Sequence, residues 1–163
     1  MGMSDVFKFL AKKGTLDSYV DPLTRLSAAQ IIADAASVYR INPKVLITLL
    51  QKEQSLVEDG TPSQDQYDWA TGYAVCDDCS KDDPLIQKFK GFTNQVTSAA
   101  KRMRQYLEEP ERFNFKKGQV QKIDGKFVTI LNDATRALYT YTPHLHGNDR
   151  RAPGLPAAAL CQG

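Results

Sequence analysis

Apolar residues recur at three- and four-residue steps along most of the chain, the spacing of one face of an α-helix. Residues 4–13 carry Val6, Phe7 and Leu10 at that spacing and stop at Gly14, a favoured residue just past a helix C-terminus. A turn-rich connector follows, through Asp21-Pro22 to Arg25. Ser27-Ala28-Ala29-Gln30 then reads as a capping box, and Ala28, Ile31, Ile32, Ala35 and Tyr39 continue the stripe to a helix end near Arg40. Asn42 as N-cap and Pro43 in the first helical position open a third helix. Its apolar stripe is Val45, Leu46, Leu49, Leu50, Leu56 and Val57, and Gly60-Thr61-Pro62-Ser63 breaks it. Residues 64–83 lose the period and read as a long mixed loop, a kind more often functional than merely connecting. Residues 91–107 restore it with Phe92, Val96, Ala99, Ala100, Met103, Tyr106 and Leu107. Two short alternating runs, 119–123 and 126–130, flank Asp124-Gly125, which predicts a β-hairpin. A last helix is expected over 132–141, and beyond Pro143 the chain is rich in Pro, Gly and Ala. The pattern predicts a mainly α fold with one small hairpin, as a domain over 1–143 and an irregular tail over 144–163.

Composition narrows the partners more than the activity. A chain of 163 residues suits one domain. Lys+Arg 21 against Asp+Glu 19 leaves a formal charge of +2, which argues against nucleic acid held by bulk charge. No run approaches the roughly 18–20 apolar residues of a membrane span. The first residues, Met1-Gly2-Met3-Ser4-Asp5, lack the basic-then-apolar pattern of a signal peptide. A monomer is expected, and no cofactor is called for.

One residue conflicts with its own helix face. Glu53 lies four residues after Leu49, three after Leu50, three before Leu56 and four before Val57, inside the apolar stripe and away from the polar side of Lys44, Thr48, Lys52 and Ser55. An unpaired carboxylate buried there would be costly and would tend to hold its proton, which is what a general acid requires. The alternative is a structural acid paired with a Lys or Arg, or sitting at the rim of the stripe.

The stretch from Ile41-Asn42-Pro43 to Gln51-Lys52-Glu53-Gln54-Ser55-Leu56 resembles the catalytic-helix region of lytic transglycosylases and goose-type lysozymes, where a Pro-started apolar helix ends in a Glu-Ser pair; here a Gln separates the two. Ala70-Thr71-Gly72-Tyr73 stands in the place of their Gly-x-Met-Gln turn. Asn94-Gln95-Val96 through Arg104-Gln105-Tyr106-Leu107 is similar to the long helix that follows, and Ala137-Leu138-Tyr139-Thr140-Tyr141-Thr142-Pro143 stands where they carry Ala-Tyr-Asn before a turn. Residues 4–143 as a whole also resemble a lysozyme-like module of bacterial extracellular proteins. The resemblance implies a lysozyme-like α+β fold and a peptidoglycan-cleaving glycosidase with Glu53 as catalytic acid. It implies Ser55, Tyr73, Tyr139, Tyr141 and Gln95 as substrate-binding residues, glycan strands as partner, and an extracytoplasmic setting. Tyr73 in place of the turn's Gln, and Thr142 in place of the Asn, depart from the pattern.

Most glycosidases use two carboxyl groups. Among the acids that follow Glu53, Asp68 and Asp77 flank the aromatic turn and are the candidates for a second; lytic transglycosylases, as the resemblance implies, need only one. Tyr67, Trp69, Tyr73, Tyr139 and Tyr141 are candidates for stacking on sugars or for ordinary packing. Cys76-Asp77-Asp78-Cys79 is a C-x-x-C in an acidic loop. With Cys161, His144 and His146 a zinc site could be drawn, but the second C-x-x-C of a structural zinc motif is missing, so no metal is expected. A disulfide, Cys76 with Cys79 or one involving Cys161, is the expected use in an oxidising compartment. Lys101, Arg102 and Arg104, continued by Arg112, Lys116 and Lys117, give the 91–107 helix a basic edge, read as a solvated face with a polyanion-binding surface as the alternative.

Overall fold

The computed structural model describes residues 1–76, 78–113 and 115–142. The tail over 144–163, with His144, His146 and Cys161, and the candidate acid Asp77 lie outside the described residues. The architecture is mainly helical with one two-stranded antiparallel hairpin. Seven helices occur in the described chain: α1 (Met3–Leu10), α2 (Ala28–Tyr39), α3 (Pro43–Gln54), α4 (Gln64–Asp68), α5 (Pro84–Gln87), α6 (Phe92–Glu108) and α7 (Asp133–Tyr141). The strands β1 (Val120–Ile123) and β2 (Lys126–Thr129) lie between α6 and α7. α2 packs against α1, α3 and α6, and α6 against α3 and α7, so one apolar cluster runs from Val6 and Leu10 to Ala137 and Tyr141.

Local chemistry accounts for the helix ends. The Ser27 hydroxyl accepts the Gln30 amide at 3.2 Å, but the return half of the box is not made. Gln30 turns its amide toward the next turn instead, Nε2 donating to the Asp34 Oδ1 carboxylate at 2.6 Å, a charge-assisted bond. Asn42 caps α3 through the Lys44 amide at 3.0 Å with Pro43 following it, and Asn132 caps α7 through the Thr135 amide at 2.8 Å. The hairpin pairs Val120 with Thr129 and Ile123 with Lys126, and its two turn residues, Asp124 (φ 48°) and Gly125 (φ 79°), take the left-handed conformation a tight hairpin turn requires.

Three boundaries differ from the periodic reading. α1 ends at Leu10, and Gly14 serves a packing purpose: a Cβ there would lie 2.5 Å from the Asp59 carbonyl oxygen, while its N–H donates to Val57 at 2.9 Å. α3 ends at Gln54 because Ser55 turns left-handed (φ 57°); Leu56 and Val57 are buried, but as chain leaving the helix. The 64–83 loop contains α4 and precedes α5, both too short to show a period. α4 is nonetheless announced by Ser63 and Gln66, which form a complete capping box.

α6 starts at Gly91, which has no side chain to cap it. Asp21 from the connector after α1 does so, accepting the Thr93 amide at 3.0 Å and the Thr93 hydroxyl, while its other oxygen takes the Leu23 amide at 2.8 Å. The basic edge expected on this helix is not a single solvated face. Arg102 is buried, Arg104 donates to the Arg40 carbonyl at 2.9 Å and pairs with Glu108 at 3.2 Å, and Arg112 pairs with Glu109. Lys116 is tied to the Pro110 and Glu111 carbonyls at 2.9 and 3.2 Å. Lys101 and Lys117 remain exposed. No described helix is long and apolar enough to cross a membrane.

Candidate functional site

Glu53 is the next-to-last residue of α3 and is half-buried. Two segments distant in sequence, the turn after α4 and the end of α7, converge on its carboxyl group. From the end of α7, the Thr142 hydroxyl donates to Oε1. From the turn after α4, Gly72 lies against the other oxygen so closely that a Cβ at Gly72 would stand 2.9 Å from Oε2. Gly72 also has φ +66°, so both its backbone and its neighbour call for glycine. Tyr141 is the third neighbour: burial pushes its phenol well above the ordinary value, and the negative charge of Glu53 pushes it the same way.

The turn over residues 70–73 is held rigidly. Gln95, fully buried on α6, accepts the Thr71 and Tyr73 amides at 3.3 and 3.1 Å and donates to the Tyr73 and Phe89 carbonyls at 3.0 and 2.9 Å. The Thr71 hydroxyl returns to the Gln95 carbonyl at 2.9 Å, and the Tyr141 hydroxyl donates to the Thr71 carbonyl at 3.0 Å. From α3 itself, the buried Gln54 amide donates to the Trp69 carbonyl at 3.1 Å, and Gln66 Nε2 donates to the Gln54 carbonyl at 2.9 Å. The Gln that separates Glu53 from Ser55 thus pins the loop that presents Gly72 to Glu53.

These contacts redistribute the residues singled out in the sequence. Gln95 and Tyr141 are buried, with their polar groups engaged by the 70–73 turn. Tyr73 is nearly buried, with its ring edge-on to Phe89 at 5.1 Å. Ser55 is half-buried and closes α3, its N–H on the Gln51 carbonyl at 2.9 Å and its own carbonyl accepting Asp59 at 3.0 Å. Tyr139 is half-buried with the Lys52 ammonium 4.8 Å from its ring centre. Trp69 is core, and Tyr67 stacks on Tyr19 at 3.8 Å. Asp68 belongs elsewhere: it accepts Gln64 at 3.0 Å, lies 4.0 Å from Lys90, and lines a separate cleft of about 380 Å³ with Tyr19, Asp21, Gln87 and Asn94. Cys76 and Cys79 are joined by a disulfide just beyond the turn.

Two contributors, Lys52 and Thr142, were not read as site residues from sequence. Lys52 is half-buried, and its ammonium donates to the Thr142 carbonyl at 2.7 Å. Burial lowers its pKa, against the raising effect of the Glu53 and Asp124 charges. Spacing puts Lys52 on the polar side of the helix, and its long stem carries the ammonium round to the α7 end.

Fold and site together define a mainly helical domain built round a half-buried glutamate at a helix end. Over residues 2–152 the chain matches the family described as LasA, N-terminal domain, and it belongs to that family. No curated protein and no solved structure matches it.

Proposed function

We propose that this domain cleaves peptidoglycan glycan strands at the β-1,4 bond between N-acetylmuramic acid and N-acetylglucosamine, with Glu53 as the single acid/base, outside the cytoplasm. The observation that carries the reading is the seat of Glu53, whose carboxyl group meets the Gly72 turn on one oxygen and the Thr142 hydroxyl on the other. A threonine hydroxyl can donate to a carboxylate and accept from a carboxylic acid, so the same partner serves both protonation states of an acid/base. The carbonyl end of α3 disfavours negative charge at its last turn, whereas Thr142 and Lys52 favour it.

In the reaction, protonated Glu53 gives its proton to the glycosidic oxygen as the C1–O bond of the muramyl sugar breaks, leaving an oxocarbenium-like centre and a carboxylate. The carboxylate then takes a proton from the nucleophile that bonds C1. If that nucleophile is the 6-hydroxyl of the same sugar, the product is an anhydro end and the outcome is transglycosylation. If it is water, the product is a reducing end. The sequence resemblance to lytic transglycosylases, which work with one carboxyl group, supports the first.

Purified protein incubated with peptidoglycan is expected to release muropeptides one water lighter than reducing-end products, read by mass spectrometry. Glu53→Gln, which keeps the shape of the side chain, is expected to lower the rate by at least about 10²-fold. Cleavage by Glu53→Gln at the wild-type rate would sink the reading. Retention of the wild-type protein on cell-wall material with no soluble fragments would replace it with a glycan-binding role.

A further inference from the structure

Neighbouring residues on a helix point in different directions, yet Lys52 and Glu53 grip the same residue. Lys52 Nζ donates to the Thr142 carbonyl at 2.7 Å, and the hydroxyl of that same Thr142 donates to Glu53 Oε1. The ammonium is also seated 4.8 Å from the centre of the Tyr139 ring, a second contact that sets it against α7. A lysine on an exposed helix face would leave its charge in water; this one is drawn out of it to hold a backbone carbonyl.

We propose that Lys52 is a positioning residue for Glu53 that acts through Thr142: by holding the carbonyl where α7 ends, it delivers the Thr142 hydroxyl to the carboxyl group and keeps the 142 segment closed over it. The proposal rests on the reading of Glu53 as acid/base for its kinetic consequence, but not for its structural one. The hydrogen bond to a charged donor anchors the carbonyl; without it the last turn of α7 is held to α3 by fewer contacts, and the hydroxyl loses its fixed aim. Glu53 and Asp124 act on Lys52, and Glu53, Tyr73 and Tyr106 act on Tyr141, which lies beside the carboxyl group.

The test compares Lys52→Met, Lys52→Arg, Thr142→Val and the Lys52→Met/Thr142→Val double variant. One readout is the titration of the Glu53 carboxyl carbon by NMR, which needs no activity; the other is the pH dependence of peptidoglycan cleavage. Loss of Lys52 is expected to raise the Glu53 midpoint by roughly half a pH unit or more, and to move the alkaline limb of the rate profile upward by the same amount. Lys52→Arg restores most of the shift, because a guanidinium can still donate to the carbonyl. If Lys52 works through Thr142, the double variant shifts by clearly less than the sum of the two single ones. An unchanged Glu53 titration in Lys52→Met overturns the proposal, and so do strictly additive shifts. A wild-type protein that does not cleave peptidoglycan overturns the proposed reaction and leaves the NMR cycle to judge Lys52 alone.

Discussion

At the scale of single residues, the most exacting position near Glu53 is Gly72. Its φ of +66° would cost a residue with a side chain about 1 kcal/mol, and its missing Cβ leaves the place that Glu53 Oε2 approaches. The obstructed atom is the end of a flexible side chain, so the fold can yield by moving the carboxyl group. Gly72→Ala is therefore expected to remain folded, with a stability loss of about 1–2 kcal/mol in a denaturant titration. Its kcat is expected to fall roughly ten- to a hundredfold, since a displaced acid is far more damaging to rate than to stability. A variant as active as wild type would show that the approach of Gly72 to Glu53 has no part in the chemistry.

At the scale of elements, α6 shows how a helix can be capped by a distant segment. Asp21 accepts both polar hydrogens of Thr93 in place of the side chain that Gly91 lacks, and as a negative charge at a helix N-terminus it is favoured twice over. Burial pushes its carboxyl group up, but the hydrogen bonds from Thr93, the Leu23 amide and Thr24 together outweigh burial and hold its pKa below the ordinary value. A lowered folded pKa means stability that is present above the unfolded value of about 3.9 and lost as pH falls through the folded one. Asp21→Asn is expected to lower stability at pH 7 by about 1–2 kcal/mol, with the gap to wild type closing below about pH 4 in acid-unfolding curves. A gap that stays constant with pH would exclude the charge as its origin. This element also marks what was legible in the sequence. Ser27, Asn42, Asn132 and Asp124-Gly125 act within three residues of themselves, and each could be read from its neighbours. Glu53 could be read because Leu49 and Leu50, one turn before it on α3, mark the stripe it lies in. Asp21 on Thr93, Gln95 on the 70–73 turn and Thr142 on Glu53 join residues 22 to 89 positions apart, and no local pattern encodes such a pairing. Gln95 stands out in sequence only by its place in a motif, and its hydrogen bonds to Thr71 and Tyr73 appear only in the fold. α4 carries a readable box in Ser63 and Gln66, but its five residues are too few to show a hydrophobic period.

At the scale of the whole molecule, the apolar cluster is studded with phenols. Tyr19, Tyr67, Tyr106 and Tyr141 all have their pKa raised, in each case chiefly by burial. A raised folded pKa gives stability that is complete below the unfolded value of about 10 and lost as pH climbs through the folded one. The fold is expected to be insensitive to pH from about 7 to 9 and to weaken steeply above about 10. Ionisation of these phenols at 295 nm should appear together with loss of the helical circular dichroism signal. Trp69, the one tryptophan of the chain, is 2% exposed, so its emission should move to the red in the same transition. Full phenol ionisation with the helical signal intact would contradict the burial of these rings.

The hydroxyl that meets Glu53 comes from a residue 89 positions further along the chain, supplied by the last described helix. During synthesis the glutamate therefore leaves the ribosome long before its partner does. Through that interval the helices around it can pair, but the carboxyl group has only part of its surroundings. Closing so long a loop is slow and comes late, after the local helices have formed. The activity proposed for this domain would then switch on with the final docking of α7, and a nascent or clipped chain ending before that helix would carry the acid without the means to use it.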